Sequence, residues 1–348
     1  MDWMIYGANG YTGKLTAEEA VRRGLRPILA GRREDTIRPL AESLGLPWRA
    51  FGLDDPQALR AGLDGVGLVL HCAGPFSATC APMLEACLDQ GAHYLDITGE
   101  IAVFAHCHAQ HARAVQRGIV VLPGAGFDVV PTDCLAALLK RAMPDAASLV
   151  LAFEGGGGFS PGTAKTSVEG LASGGRVRRD GKVERVPLAW KWRYFTRDGE
   201  QRSAMTIPWG DVYTAHVSTG IANIEVYMAA PPSTIKRVRR LRLLGPLLGT
   251  GPVQRFLKAR VDKNVRGPSE SLRARTDSFI WGEVRDQADR LLAKQLRTPN
   301  GYALTVTASL GIAARLLDGE PAKPGYHTPS SLMGADYVLG LPGVQLYE

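Results

Sequence analysis

The chain has 348 residues, of which 45% are hydrophobic and 22% are charged, a composition typical of a globular protein long enough for two domains. The net charge of +7 permits acidic partners without naming one, and five cysteines without framework spacing are typical of reduced thiols. The composition and order of residues exclude a membrane-spanning stretch and a signal peptide, so we expect a cytoplasmic protein.

The first distinctive stretch is a short apolar strand over residues 3–6, followed by a glycine-rich turn and a helix over residues 14–23. The turn has the spacing G-x-x-G-x-x-G. Glycines let the backbone approach a ligand closely, and the helix N-terminus presents N–H groups to a pyrophosphate. We therefore predict a dinucleotide site. Its predicted cofactor-binding residues in this turn are Gly7, Ala8, Asn9, Gly10, Tyr11, Thr12 and Gly13.

The second predicted strand, residues 27–31, ends at Arg32 and Arg33. NAD-specific folds place an acidic residue here for the ribose 2′-hydroxyl, whereas guanidinium groups favour a 2′-phosphate. The sequence therefore predicts NADP(H) as the cofactor. In the alternative interpretation the arginines are solvated, and Glu34 or Asp35 holds the ribose.

Strands and helices continue to alternate up to residue 122, which is typical of an α/β Rossmann fold with a doubly wound parallel sheet. We predict six strands in this domain, which spans residues 1–132. Ligands of such folds lie at the carboxyl edge of the sheet. At that edge we expect further cofactor contacts from Asp54, Cys72, Ala73, Gly74, Pro75, Phe76 and Gly99.

Turns at the same edge supply the candidates for catalysis. We predict that Asp128 orients the substrate or the nicotinamide, that Glu100 is the second catalytic candidate, and that Phe127 contacts the substrate. Cys107 and His111 share a helix face at a spacing that metal ligands use, but no second cluster completes a site. No metal is therefore predicted.

Five motifs carry a resemblance to a known family. They are residues 6–13, 30–32, 72–76, 94–100 and 126–133. On these motifs the chain resembles the saccharopine dehydrogenase-like oxidoreductases, and within them the branch of the trans-acting enoyl reductases. The resemblance implies an NADP-dependent enzyme that reduces an α,β-unsaturated acyl thioester, either small or carrier-bound, by hydride transfer. Two alternatives stay open: a reductase of imine or amino-acid-type substrates, and a non-catalytic NADPH-binding partner in a lipid-associated assembly.

The second predicted domain, residues 133–320, is α+β with a mixed or antiparallel sheet. A glycine-rich loop after residue 154 is interpreted as a mobile loop at the substrate cleft, in which Thr163 and Thr166 offer hydroxyl groups, or as an ordinary surface loop. Residues 302–308 are predicted to form a strand. The resemblance implies that the C-terminal segment, residues 321–348, returns toward the nucleotide domain.

Basic residues are concentrated between residues 236 and 266, on two predicted amphipathic helices. This segment suits an acidic carrier protein or peripheral contact with an anionic membrane, but two helices with one solvated basic face would show the same pattern. No run of basic and aromatic residues indicates nucleic acid. A homodimer is left open.

Overall fold

The computed structural model describes residues 1–347, except for the side chains of residues 171–173, 243–246 and 262. The stretch 243–246, which the sequence places between the two basic helices, is therefore outside the described side chains. The chain forms two compact units. The first comprises residues 1–130 and 302–333, and the second comprises residues 131–301 and 334–348.

The first unit is built on a parallel sheet. Its strands are β1 (Asp2–Tyr6), β2 (Ile28–Gly31), β3 (Trp48–Ala50), β4 (Val66–His71), β5 (His93–Asp96), β6 (Val120–Leu122) and β15 (Gly325–Tyr326). They pair in the order β3, β2, β1, β4, β5, β6, β15, and every pairing is parallel. The predicted doubly wound Rossmann sheet is confirmed, with β15 as a seventh strand that the sequence did not predict.

Helices connect these strands. Those of the first unit are α1 (Tyr11–Arg22), α2 (Glu34–Leu44), α3 (Pro56–Gly62), α4 (Phe76–Gln90), α5 (Ile101–Ala109), α6 (His111–Arg117), α14 (Gly301–Leu317) and α15 (Pro329–Met333). The helix α2 ends at Leu44, because Gly45 adopts the left-handed conformation with φ of 63°. The turns that follow β1, β4, β5 and β6 all leave the same edge of the parallel sheet.

The second unit has a mixed sheet, as predicted. Its strands are β7 (Ser148–Glu154), β8 (Gly175–Arg179), β9 (Lys182–Val186), β10 (Trp192–Arg197), β11 (Glu200–Thr206), β12 (Asn223–Ala229), β13 (Asp277–Arg285), β14 (Leu291–Pro299) and β16 (Gln345–Tyr347). The main path runs β10, β11, β12, β7, β13, β14, β16, with β12 and β7 parallel and the other neighbours antiparallel. The strands β8 and β9 form a hairpin around Asp180 and Gly181, whose φ angles are both positive.

The second unit also contains helices, the first of which precedes β7 in the chain. They are α7 (Val130–Ala142), α8 (Pro161–Ser173), α9 (Asp211–Thr219), α10 (Pro232–Arg240), α11 (Gly245–Leu248), α12 (Gly251–Asn264) and α13 (Glu270–Arg275), with 3₁₀ turns at Leu241–Leu244 and Ala335–Gly340. No helix in the described range 1–347 is long and apolar enough to cross a membrane.

Two sequence-based predictions are wrong. Residues 302–308 lie inside the helix α14 and not in a strand, because the buried environment of this helix outweighs the strand preference of its threonine and valine residues. The loop after residue 158 becomes the helix α8, because Pro161 occupies the first turn and Ser160 Oγ accepts the N–H of Thr163.

The division of the chain differs from the predicted domains in one further respect. Residues 302–320, placed in the second domain from sequence, lie in the first unit.

Candidate functional site

The glycine-rich turn after β1 is held against β2 by backbone hydrogen bonds. The N–H groups of Gly7 and Ala8 donate to the carbonyl oxygen of Ala30 at 2.7 and 3.2 Å. Gly7 has φ of 81°, and a Cβ on it would lie 2.8 Å from Ala73. A Cβ on Gly13 would lie 2.3 Å from the carbonyl oxygen of Gly7. Gly7 is therefore required by its positive φ and by the close approach of the segment after β4, and Gly13 by the close approach of α1 to the turn.

The N-terminus of α1 opens directly onto this turn. Gly10 is the N-cap residue and offers no side chain, and the first turn of the helix carries no acidic residue. Such an end presents backbone N–H groups and the positive end of the helix dipole. A pyrophosphate is the chemical group that fits this cradle, so the turn satisfies the predicted dinucleotide site.

The end of β2 carries two exposed guanidinium groups. Arg33 Nε lies 3.5 Å from Asp35 Oδ1, whereas Arg32 forms no ion pair with a carboxylate among the described side chains. Burial raises the pKa of the Tyr6 hydroxyl to about 12, and the charges of Arg32 and Asp54 act on it in opposite directions. Both charged groups thus lie within electrostatic reach of Tyr6, at the strand end where the sequence predicts the 2′-phosphate to bind.

Residues 72–76 connect β4 to α4 beside the glycine turn. The N–H of Cys72 donates to the carbonyl oxygen of Tyr6 at 2.8 Å. Burial, and to a smaller extent the charge of Asp96, raises the pKa of the Cys72 thiol to about 12. The thiol is therefore protonated at neutral pH, which argues against a nucleophilic role.

Glu100 directly precedes α5, and its carboxylate lies at the N-terminus of α4. Its Oε1 accepts the N–H of Phe76 and its Oε2 accepts the N–H of Ser77, both at 2.9 Å. A carboxylate in this position satisfies two helix N–H groups and complements the helix dipole. The geometry therefore favours a role for Glu100 in holding the turn between β4 and α4, rather than the catalytic role expected from sequence.

Asp128 lies between β6 and α7, against the backbone of Gly99. A Cβ on Gly99 would lie 3.1 Å from Asp128 Oδ2, so glycine leaves the space that the carboxyl group occupies. Burial, and to a smaller extent the charge of Glu100, raises the pKa of Asp128 to about 7. The side chain is half-buried. Near neutral pH this carboxyl group can therefore both donate and accept a proton.

Two residues of α14 join this site and were not predicted. Thr305 Oγ1 accepts the N–H of Phe127 at 3.0 Å. The ring of Tyr302 packs edge-on against Tyr11 in the glycine turn, with the ring centroids 4.9 Å apart. The first turns of α14 thus contact both the predicted cofactor turn and the segment that follows β6. Sequence reasoning missed them because it assigned the segment to a strand.

Asp96 ends β5 and fixes the neighbouring turns. Its Oδ1 accepts the N–H groups of Thr98 and Gly124, both at 2.9 Å, and its Oδ2 accepts the Tyr94 hydroxyl at 2.7 Å. Burial raises the pKa of Asp96 to about 6, although these hydrogen bonds act against the rise. A carboxylate at the end of an apolar strand is a signal in the sequence that could have identified this residue.

Cys80, Asp96 and Cys107 place one ligand atom each within 4.8 Å of one another in the core. Burial raises the pKa of the Cys107 thiol, and the two sulfur atoms are 3.5 Å apart. Because Asp96 already accepts three hydrogen bonds, the two cysteines pack against a satisfied carboxyl group. Cys107 and His111, which the sequence places on one helix face, lie in two helices, since α5 ends at Ala109 and α6 begins at His111. His111 Nδ1 accepts the N–H of Tyr326 at 3.1 Å.

Thr163 and Thr166 lie in the first turns of α8 and are half-buried. Thr163 Oγ1 lies 3.1 Å from Ser160 Oγ, so its hydroxyl group takes part in the cap of the helix. Contact of these two threonines, and of Phe127, with a substrate stays a prediction.

Residues 3–122 match the family model described as the saccharopine dehydrogenase NADP binding domain. A putative trans-acting enoyl reductase of Mycobacterium tuberculosis is 33% identical over 188 residues, which cover 49% of this chain and 44% of that protein. A saccharopine dehydrogenase-like oxidoreductase of Mus musculus is 26% identical over 202 residues, which cover 51% and 47%. The matched part therefore spans less than half of the length of either relative.

Solved structures share the fold of the chain. The apo saccharopine dehydrogenase (L-Glu forming) of Saccharomyces cerevisiae has a TM-score of 0.67 at 12% identity, with full coverage of both chains. The homospermidine synthase of Legionella pneumophila has a TM-score of 0.59 at 12% identity and covers 99% of this chain and 91% of its own. The family match confirms the resemblance and NADP(H) as the cofactor. Residues 3–122, which carry the glycine-rich turn and the two arginines, are therefore similar to the saccharopine dehydrogenase NADP binding domain.

Proposed function

We propose that this protein is an NADP-dependent oxidoreductase that reduces an α,β-unsaturated acyl thioester. The observation that carries the proposal is the half-buried carboxyl group of Asp128, with a pKa of about 7, at the sheet edge that also holds the glycine turn. The substrate class is supported by relatives named trans-acting enoyl reductases, which are 32 to 33% identical to this chain over the matched parts.

The residues of the first unit fit the cofactor. The glycine turn and the N-terminus of α1 would hold the pyrophosphate, and Arg32 would hold the 2′-phosphate. NADPH supplies a hydride when it is bound.

The protein must then supply a proton. Addition of hydride to the β carbon of a conjugated thioester breaks the carbon–carbon π bond and leaves negative charge shared between the α carbon and the carbonyl oxygen. In its protonated form Asp128 can donate to the α carbon, and water at its exposed part can restore the proton. Gly99 leaves room for the carboxyl group, and the hydrogen bond from Phe127 to Thr305 fixes the adjoining backbone.

The test is NADPH oxidation by the purified protein with a panel of enoyl thioesters and cyclic imines. We expect turnover of the thioesters, and a fall in kcat of about 10²- to 10⁴-fold in Asp128→Asn with NADPH affinity unchanged. The control, Asp64→Asn, makes the same substitution at an exposed side chain and should keep full activity. Turnover of imines alone would support the alternative reductase, and NADPH binding without any turnover would support a non-catalytic partner. Full activity of Asp128→Asn would remove its proposed role.

A further inference from the structure

The helix α12 presents an outer face on which basic side chains surround an exposed phenylalanine. Phe256 has 63% of its surface exposed. Arg260 and Lys263 are also exposed and, at 3.6 residues per turn, lie within about 40° of Phe256 around the helix, whereas the exposed Arg255 lies about 100° away, at the edge of this face. Leu247, in the preceding helix α11, is 60% exposed. Large apolar side chains are therefore accessible within a basic region of the surface.

The opposite face of α12 packs within the second unit. Gln254 Nε2 donates to the carbonyl oxygen of Val168 at 3.1 Å, and Lys258 Nζ lies 2.5 Å from Glu169 Oε1. These contacts fix the orientation of the helix against α8. Because Gln254 and Lys258 hold the inner side of α12 against α8, Phe256 on the outer side remains exposed.

No described side chain compensates the charges on the outer face. Arg255, Arg260 and Lys263 form no ion pair and no side-chain hydrogen bond with any residue whose side chain is described. Other cations of the segment 236–266 are used internally: Arg239 Nη2 donates to the carbonyl oxygen of Trp190 at 3.2 Å. The structure thus separates cations that support the fold from cations that face outward, a distinction that the sequence does not make.

We propose that the outer face of α12 docks on the surface of an anionic phospholipid bilayer. Arg255, Arg260 and Lys263 lie against the phosphate groups, and Phe256 enters the interfacial region. Charge complementarity selects an anionic surface. The large apolar side chain among the cations favours a bilayer over a purely hydrophilic acidic partner, because a bilayer accepts an apolar group without a preformed pocket. This binding does not depend on the proposed reaction.

The experiment is co-sedimentation of the full chain with vesicles of phosphatidylglycerol and phosphatidylcholine in equal parts, compared with vesicles of phosphatidylcholine alone. We expect binding to the anionic vesicles only, with an affinity that falls as salt is added. A basic residue near an anionic surface contributes about fivefold in affinity, so Arg255→Gln with Arg260→Gln should weaken binding roughly 25-fold. Phe256→Ala should weaken it severalfold at every salt concentration.

Matched controls separate docking from general charge. Lys182→Gln with Lys323→Gln removes the same charge at two exposed lysines elsewhere, and Tyr194→Ala removes an aromatic side chain that is 56% exposed on β10. Both controls should bind vesicles like the original protein. Equal losses in test and control pairs, binding to neutral vesicles as strong as to anionic ones, or no vesicle binding at low salt would overturn the proposal. Binding to an acidic carrier protein without vesicle binding would assign the face to a protein partner and equally overturn it.

Discussion

At the scale of single residues, a carboxyl group whose pKa is raised to near neutrality lowers the free energy of unfolding at any pH high enough to ionise it. The folded protein raises the pKa of Asp128 from 3.8 to about 7, so it binds the proton more tightly than the unfolded chain does. The stabilising contribution of this residue is full below about pH 4 and is lost as the pH rises to about 7. We expect Asp128→Asn, which cannot ionise, to be more stable than the original protein by roughly 2 to 4 kcal/mol at pH 8.

Urea denaturation at about pH 4.5 and about pH 8 measures this difference. The advantage of Asp128→Asn should be nearly absent at the lower pH, and Asp64→Asn, the same substitution at an exposed side chain, is the control. A constant difference at both pH values would show that Asp128 is not perturbed in the folded state. A stability gain accompanied by a loss of turnover would indicate that the unfavourable carboxylate is retained for function.

Arg32 provides the test of cofactor choice. Arg32→Ala removes a guanidinium group that is not paired with a described carboxylate, so we expect NADPH to bind about 10- to 100-fold more weakly and NADH to bind as before. Arg33→Ala should have a smaller effect, because Arg33 already lies 3.5 Å from Asp35. Titration of both cofactors into the three proteins measures the difference. Equal weakening of NADPH and NADH by Arg32→Ala would contradict this assignment.

At the scale of secondary-structure elements, local signals made the first sheet predictable. Gly45 ends α2, and the continuous apolar run of β4 indicates a strand buried on both faces. The helix α14 gave no such signal, because it buries Thr305 and Ser309 beside its apolar residues and so lacks a polar face that would mark the helical period. The strand β15 has two residues, too few for any periodicity. The cofactor turn was therefore readable from sequence, whereas the contribution of α14 to the candidate site was not.

The hydrogen bond from Phe127 to Thr305 ties α14 to the segment that carries Asp128. Thr305→Val keeps the volume but leaves the N–H of Phe127 without its acceptor, and we expect a loss of about 1 to 3 kcal/mol in the free energy of unfolding. Thr305→Ser keeps the hydroxyl group and should retain most of the stability and the turnover. Urea denaturation and the pH profile of kcat measure both effects. If the valine and serine variants lose the same amount, the methyl group and not the hydrogen bond supports this segment.

At the scale of the whole molecule, neither unit is one continuous stretch of chain. The first unit takes β15 from near the C-terminus, where Gly325 N–H donates to the carbonyl oxygen of Ile119 at 2.8 Å. The second unit keeps the last residues, in which Arg141 forms two hydrogen bonds to Asp336, at 2.6 and 2.7 Å. The chain therefore passes from one unit to the other three times, and a cut near residue 130 does not release a complete nucleotide-binding unit.

This organisation predicts how fragments behave. Residues 1–130 alone lose α14 and β15, which leaves the edge of β6 unpaired and the N–H of Phe127 without its acceptor. We expect this fragment to bind a dye for exposed apolar surface and to bind NADPH weakly. The same residues joined by a flexible linker to residues 302–333 should unfold cooperatively and recover NADPH binding.

The control for the joined chain carries residues 334–348 after the same linker, because these residues belong to the second unit. It should behave like residues 1–130 alone. Calorimetry and NADPH titration of the three chains provide the comparison. If residues 1–130 unfolded cooperatively at the same temperature as the joined chain and bound NADPH equally well, α14 and β15 would be accessories that pack on an already complete domain. If only the joined chain binds NADPH well, cofactor binding requires the C-terminal segment with α14 and β15. We expect this result because Tyr11, in the cofactor turn, packs against Tyr302 of α14.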